Sequence, residues 1–504
     1  MSSRNGSTSS VPRTSSRTEA RVIQATRNRS AATRAEDPAV TVAALIARAR
    51  VAQRVFETWS QQRVDEVVTA AGWAIVAPDR NSALAELAVR ATGLGNVADK
   101  FAKNRRKTIG LLRDLRGAKS VGIITRDPLR GLTEIARPVG VVAAITPATN
   151  PAATPANNII NSLKGRNAIV LAPSPKGQST LALLLEFLHA ELARVGAPLD
   201  LAQQLPAPIT RELTLELMQQ ADLVVATGSR TNVRAAYASG TPALGVGVGN
   251  VAVIVDETAD LTDAAAKIAR SKTFDHATSC SSENSVIAHA DVYDALIAAL
   301  SREGGALLTR DEARQLEAAM FRGGKLVPDV IAQAAGAIAA YAQLDRAELK
   351  NARFLMVAET GVGASHPFSG EKLSPVLAVY RAPSFAAAAE VSERILRYEG
   401  AGHSIGLHTT DPERAVRLGE TLPVCRVIVN QAHCFATGGS FDNALPFSLS
   451  MGCGTWGGNS ISDNLNYRHF LNITRVVEPL AAEHVREPTD DELFGDYRRK
   501  YDIA

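Results

Sequence analysis

The sequence predicts an α/β protein organised around a doubly wound parallel sheet, and three observations lead there. From Val139 to Asp256 short apolar runs alternate with amphipathic helical stretches. Strand–helix alternation at that spacing produces parallel strands with helices on both faces. Of 504 residues, 46% are hydrophobic and 21% charged, a balance that lets a soluble chain of this length bury the core of two or three packed lobes. Turn-forming Gly and Pro fall between the runs rather than inside them.

In chain order, the Arg- and Ser-rich, acid-poor segment 1–38 buries too little apolar surface to fold, and a disordered tail is expected. A targeting segment or a docking tail shares the same composition. Val42, Leu45, Ile46, Ala49, Ala52, Val55, Phe56 and Trp59 recur at three- and four-residue steps and predict an amphipathic helix. Helical sequence continues to about Arg116, and VGIITRDPLRGLTEIARPVG reads as an exposed hairpin at about 120–137. The core follows: strand VGVVAAIT, a Pro-containing loop, a helix closed by Gly165, strand NAIVLAP, a helix closed by Gly196, a helix opening at Thr210, strand DLVVATG, helix TNVRAAYASG and strand VAVIVD. Parallel sheets of this kind bind nucleotides at the carboxyl ends of their strands, where the loops after Thr146, Ala172 and Thr227 gather. The lobes are expected at 39–255 for a cofactor-binding domain and 256–440 for a catalytic domain. Residues 441–485 return to the first lobe, and 486–504 form a charged tail.

Composition also excludes. Net charge is only +4 and no basic stripe crosses the body, so nucleic acid is not an expected partner. No apolar stretch is long enough to span a bilayer. Cys280, Cys425, Cys434 and Cys453 show neither CxxC spacing nor a His-rich metal pattern; reduced thiols in the cytoplasm and no metal are expected.

One of those thiols stands in TFDHATSCSSENS, among small polar residues. An accessible polar setting favours the thiolate, because burial raises a thiol pKa, so Cys280 is a candidate nucleophile; an incidental loop cysteine fits as well. TPATNP puts Asn150 on the loop leaving a central strand. A thiolate adding to a carbonyl creates an oxyanion, for which the Asn150 amide and the Cys280 backbone N–H are candidate donors.

The stretches RPVGVVAAITPATNPAATP, ATGSRTNVRAAYASGTPALGVGVGN, TFDHATSCSSENS, EKLSPVLAVY and SLSMGCGTWGGNSISDNLNYRHFLN, in this order over about 135–475, resemble the aldehyde dehydrogenase superfamily and most closely its coenzyme A-acylating branch. The resemblance implies an aldehyde dehydrogenase-like fold: a Rossmann-type sheet, a second α/β catalytic domain and an oligomerisation hairpin. It also implies a homodimer or homotetramer, with NAD or NADP as cofactor and coenzyme A as co-substrate. Cys280 becomes the nucleophile and Asn150 the oxyanion donor. Thr146, Pro147, Ser174, Lys176, Thr227, Gly228, Ser229, Gly247 and Glu371 border the cofactor. Helix TNVRAAYASG offers its N-terminus to the pyrophosphate, and Glu371 holds the nicotinamide ribose.

Two departures refine this. Hydrolytic members carry a glutamate that activates water at the position of Gly245, and no carboxylate lies between Ala243 and Val255. A thiol co-substrate needs less activation than water, which points to acyl-coenzyme A as product. Ala172 and Pro175 stand where many members contact the adenosine ribose, and no acid there repels a 2′-phosphate. His276, Thr278, Ser279 and His433 are expected to line the substrate site. Their polarity fits a small polar or anionic aldehyde, sulfoacetaldehyde first, with acetaldehyde or propionaldehyde as alternatives. A hydrolytic enzyme, a redox-free cysteine hydrolase using His276 and a structural assembly member are the competing readings.

Overall fold

The computed structural model describes residues 5–6 and 37–503; most of the expected 1–38 tail lies outside the described residues. Four helices come first: α1 (Pro38–Glu57), α2 (Gln61–Val76), α3 (Pro78–Thr92) and α4 (Val97–Leu115). Asp37 caps α1 by accepting from the Ala39 N–H, and Asn96 caps α4 by accepting from the Asp99 N–H, each supplying a partner that the first turn lacks. The apolar stripe of α1 is buried as its periodicity requires, except that Val55 is 49% exposed on its flank.

The hairpin is present as β1 (Gly122–Asp127) and β2 (Leu132–Pro138). A third antiparallel strand, β17 (Leu471–Val477), pairs along the full length of β2. The first core sheet contains β3 (Val141–Thr146), β4 (Ala168–Pro173), β5 (Ala202–Gln204), β6 (Leu223–Thr227) and β7 (Ala243–Val246). All are parallel, in the order β5-β4-β3-β6-β7. Every residue of β3, β4 and β6 is buried, as expected of strands covered on both faces. The order reverses between β3 and β6, and such a switch point opens a crevice at the carboxyl ends. Helix α5 (Ala153–Lys164) follows β3, and α6 (Arg230–Ala238) follows β6.

The second sheet contains β8 (Val251–Val255), β9 (Glu283–His289), β10 (Gly305–Leu307), β13 (Phe354–Ala358), β14 (Val376–Ala382), β15 (Ile405–His408) and β16 (Val427–Val429). The two-stranded β11 (Phe321–Arg322) and β12 (Lys325–Leu326) stand apart. Its order is β10-β13-β14-β9-β8-β15-β16. Here one sequence expectation is corrected. VAVIVD was assigned to the first lobe, yet β8 pairs with β9 and β15 in the second sheet. The chain therefore changes sheets between Val246 and Val251, because an apolar run specifies a buried strand but not which sheet receives it. Helix α7 (Leu261–Thr273) then leads toward Cys280. The charged C-terminal segment forms an exposed helix, Asp490–Tyr501, with a capping box at Thr489 and Glu492.

Candidate active site

Loops from both sheets meet in one cavity of about 320 Å³. The β3–α5 loop contributes Pro147 and Asn150, and the β6–α6 turn contributes Thr227, Gly228 and Ser229. Gly247 comes from the crossing between the sheets, Thr278, Ser279 and Cys280 from the segment before β9, and Glu371 from the β13–β14 connection. Ten of the residues singled out in the sequence are thus brought together. Five are not in its wall. Thr146 is buried at the end of β3, while Ser174 caps a short turn and Lys176 is exposed at the end of β4. His276 is half-buried behind the cysteine loop, and His433 turns its Nδ1 to the Ser281 carbonyl at 2.9 Å.

The approach to Cys280 is unusual. Asp275, His276 and Ala277 have φ of 51°, 50° and 59°, a left-handed run that costs side-chain-bearing residues roughly 1–3 kcal/mol each and persists only where its surroundings impose it. They do so through Asp275, whose side chain is fully buried. Its Oδ2 accepts from Lys100 Nζ at 2.8 Å, Lys103 Nζ at 2.5 Å and Thr278 Oγ1 at 2.7 Å. Burial would raise this carboxyl, but Lys103 and Lys100 outweigh it and hold it down at about 2. On the other side Gly249 backs the nucleophile: a Cβ there would lie 2.1 Å from the Cys280 carbonyl oxygen.

The thiol itself corrects another expectation. Small polar neighbours suggested a readily ionised sulfur. Instead desolvation, then Glu371 and Cys453, push Cys280 up to about 12, although the residue is half-buried and borders the cavity. Its Sγ lies 3.5 Å from Nε2 of His403, whose Nδ1 is 2.7 Å from Ser404 Oγ. Burial, Arg426 and His433 lower that imidazole to about 3, so it is neutral at pH 7 and able to accept the S–H.

Asn150 is fixed by Lys103, which donates to its Oδ1 at 2.9 Å. That leaves Nδ2 as the donor side, where a developing oxyanion would need it. Gly228 has φ of 146° and only Pro147 Cβ, at 3.8 Å, near the direction a side chain would take, which leaves the start of α6 open. Ser229 caps that helix by accepting from the Asn232 N–H. Oε1 of Glu371 is buried without a partner, the state expected of a group that awaits a ligand hydroxyl. A neighbouring cavity of about 330 Å³ shares Gly247 and Val248 with the first and carries Arg230, Arg234, Arg397 and Trp456.

The model of the aldehyde dehydrogenase family matches residues 11–353. The chain belongs to the aldehyde dehydrogenase family. Within it, this aldehyde dehydrogenase is 61% identical to the acylating sulfoacetaldehyde dehydrogenase of Cupriavidus necator, over 92% of this chain and 93% of that one. It is 39% identical to the acetylating succinate-semialdehyde dehydrogenase of Clostridium kluyveri, over 90% and 99%. Among solved structures, an acetylating aldehyde dehydrogenase from Geobacillus thermoglucosidasius superposes with a TM-score of 0.85 at 34% identity, covering 90% and 98%.

For an aldehyde dehydrogenase the geometry adds residues that the sequence did not single out: Lys103, Asp275, Gly249 and His403. A signal existed only for Lys103, which recurs with Lys100 and Lys107 at helical spacing in Val97–Leu115. Gly245, the position that the sequence comparison assigns to a hydrolytic base, faces Tyr237 and Val233, whose atoms would lie 2.7 Å from a Cβ. All four cysteines are free, and no cluster of metal ligands occurs among the described residues. No described helix is long and apolar enough to cross a membrane.

Proposed function

We propose that this protein is a coenzyme A-acylating aldehyde dehydrogenase that oxidises a small anionic aldehyde, sulfoacetaldehyde foremost, to its acyl-coenzyme A. One observation carries the reading: Cys280 and Asn150 share a cavity wall in which Glu371 is the sole carboxylate among the described residues. Burial, then Glu399, raise Glu371 well above the carboxylate range, and in this reading its unpartnered Oε1 serves the cofactor rather than a water. The names of the relatives support the same chemistry.

Cys280 Sγ adds to the aldehyde carbon as its proton passes to solvent; His403 Nε2, 3.5 Å away, orients the S–H but is held too low to keep the proton. The oxyanion so formed is held by Asn150 Nδ2. A nicotinamide dinucleotide bound at this site supplies the hydride acceptor. Ser229 and the start of α6 suit its pyrophosphate, and the orphaned Glu371 oxygen suits a ribose hydroxyl. The thioester then left on Cys280 is attacked by the thiol of coenzyme A; the new carbon–sulfur bond forms as the bond to Cys280 breaks. Cys280 leaves as thiolate and regains a proton. In sum, aldehyde, coenzyme A and NAD(P)⁺ yield acyl-coenzyme A, NAD(P)H and a proton. The arginines of the neighbouring cavity suit the phosphates of either nucleotide, and both NAD and NADP are accepted in this reading.

The exposed Ile123, Val476 and Val477, at 45%, 45% and 73%, support self-association through the three-stranded sheet as a dimer or tetramer. Four free thiols fit the reducing cytoplasm. The readings that used His276 as a base are weakened by its place outside the cavity wall. The test is NAD(P)H formation with and without coenzyme A over sulfoacetaldehyde, acetaldehyde and propionaldehyde. Acyl-coenzyme A formed in proportion to NAD(P)H is expected. Steady turnover to the free acid without coenzyme A would overturn the proposal.

A further inference from the structure

The buried face of α4 is lined with lysines. Lys100, Lys103 and Lys107 are spaced i, i+3, i+7, which places them on one side of a helix, and they are only 3%, 5% and 8% exposed. Lysines are rarely buried unless paired. Lys100 and Lys103 are paired, sharing Asp275. Lys107 is not: no carboxylate lies within ion-pair distance of it among the described residues. Its Nζ donates to the Gly438 carbonyl at 2.7 Å. An ammonium has three N–H donors, so two remain.

Lys107 also belongs to the wall of the cavity that contains Cys280 and Asn150. Residue 438 is a glycine whose added Cβ would lie 2.5 Å from the Ser448 carbonyl oxygen and 2.7 Å from this Nζ, so a side chain there would crowd both. Thr278 and Ser448 border the same space. Burial, then Arg106, lower the ammonium to about 7, as for a cation that lacks its counter-ion. A desolvated cation with spare donors in a substrate cavity is a built site for an anion.

We infer that Lys107 binds the anionic group, sulfonate or carboxylate, of the aldehyde whose carbonyl meets Cys280, and so sets substrate selectivity. This rests on the function proposed above. The two can fail separately.

The experiment compares kcat/KM for sulfoacetaldehyde, succinic semialdehyde and propionaldehyde at saturating coenzyme A and NAD(P)⁺ in the wild type, Lys107→Met, Lys107→Gln and Lys107→Arg. The selectivity for an anionic aldehyde over propionaldehyde is expected to fall on the order of 100-fold in Lys107→Met, the scale for removing one partner of a desolvated charge pair. Lys107→Gln keeps a donor for the Gly438 carbonyl and is expected to lose selectivity equally, whereas Lys107→Arg retains most of it. The anionic aldehyde that suffers the larger loss names the group bound. A binding readout independent of turnover is protection of Cys280 from N-ethylmaleimide by ethanesulfonate, expected in the wild type and absent in Lys107→Gln. A wild type that prefers the anionic aldehydes, with variants that lose all three substrates equally, would overturn the role of Lys107 alone. A wild type that prefers propionaldehyde would overturn the substrate assignment and this inference with it.

Discussion

Lys103 Nζ stands 2.9 Å from Asn150 Oδ1 and 2.5 Å from Asp275 Oδ2. An ammonium can only donate, so it pairs with the carbonyl oxygen of the Asn150 amide and not with its NH₂ group. Asp275 in turn fixes Lys103 and caps the left-handed run that presents Cys280. One buried lysine thus links the oxyanion donor to the loop of the nucleophile, and their relative geometry depends on it.

Removing the donor should cost much, and removing its support should cost less. Asn150→Ala is expected to lower kcat on the order of 100-fold or more, the scale for one oxyanion donor. Lys103→Met, which frees the amide to rotate, should lower it roughly 10-fold. In the double variant the effects should not add, since Lys103 acts through Asn150. Steady-state kinetics on the four enzymes tests this; multiplying losses would show that Lys103 has a separate role.

Asp275→Asn should unfold the protein readily. Two buried ammonium groups would lose their shared counter-ion, a change worth about 3 kcal/mol or more. The carboxyl lies at about 2 in the folded protein against an ordinary 3.8. A depressed carboxyl stabilises fully above its unfolded value and loses that contribution as pH falls from about 3.8 through about 2. Urea midpoints at pH 7 should therefore drop in the variant, with the difference from wild type shrinking at the acid end of that window. An unchanged midpoint at pH 7 would contradict the buttressing role.

A thiol held at about 12 predicts a distinctive titration. In the free enzyme the rate of Cys280 alkylation by iodoacetamide should climb about tenfold per pH unit from 7 to 9 without a plateau, because only the thiolate reacts and its fraction rises that steeply below the pKa. A rate that levels off below pH 8 would mean that the sulfur ionises far more easily than its desolvated position implies.

Much of this site is legible in the amino-acid sequence. Apolar runs with small turn residues located β3, β4, β6 and β8, and the loops that follow β3 and β6 did converge on the cavity. The misses have a common physical cause. Reading periodicity assigns apolar residues to the core, whereas α4 buries Lys100, Lys103, Asn104, Lys107 and Thr108; charges satisfied by partners far along the chain look like a solvated face. Lys103 and Asp275 are 172 residues apart, and His403 lies 123 residues from Cys280. No local pattern encodes such pairings. Sheet membership of β8 failed for the same reason, since a strand's partners are set by tertiary contacts.

Gly249 offers the sharpest steric test. Its backbone is not in the left-handed region, so any penalty for a side chain comes from contact alone. An added Cβ would lie 2.1 Å from the Cys280 carbonyl oxygen and 3.1 Å from Cys280 Cβ. Backbone cannot give way as a flexible side chain can, so Gly249→Ala must push the nucleophile's own residue aside. A misplacement of about 1 Å at a reacting centre costs on the order of 100-fold, and the overpacking itself costs roughly 1–3 kcal/mol. Gly419→Ala is the control: it lies exposed in the helix Pro412–Thr421 with Val427 3.9 Å away, and should leave kcat unchanged while stabilising by up to about 1 kcal/mol. Paired kcat and thermal-unfolding measurements separate the two. If Gly249→Ala retained wild-type kcat, the close backing of the nucleophile would have no part in its reactivity.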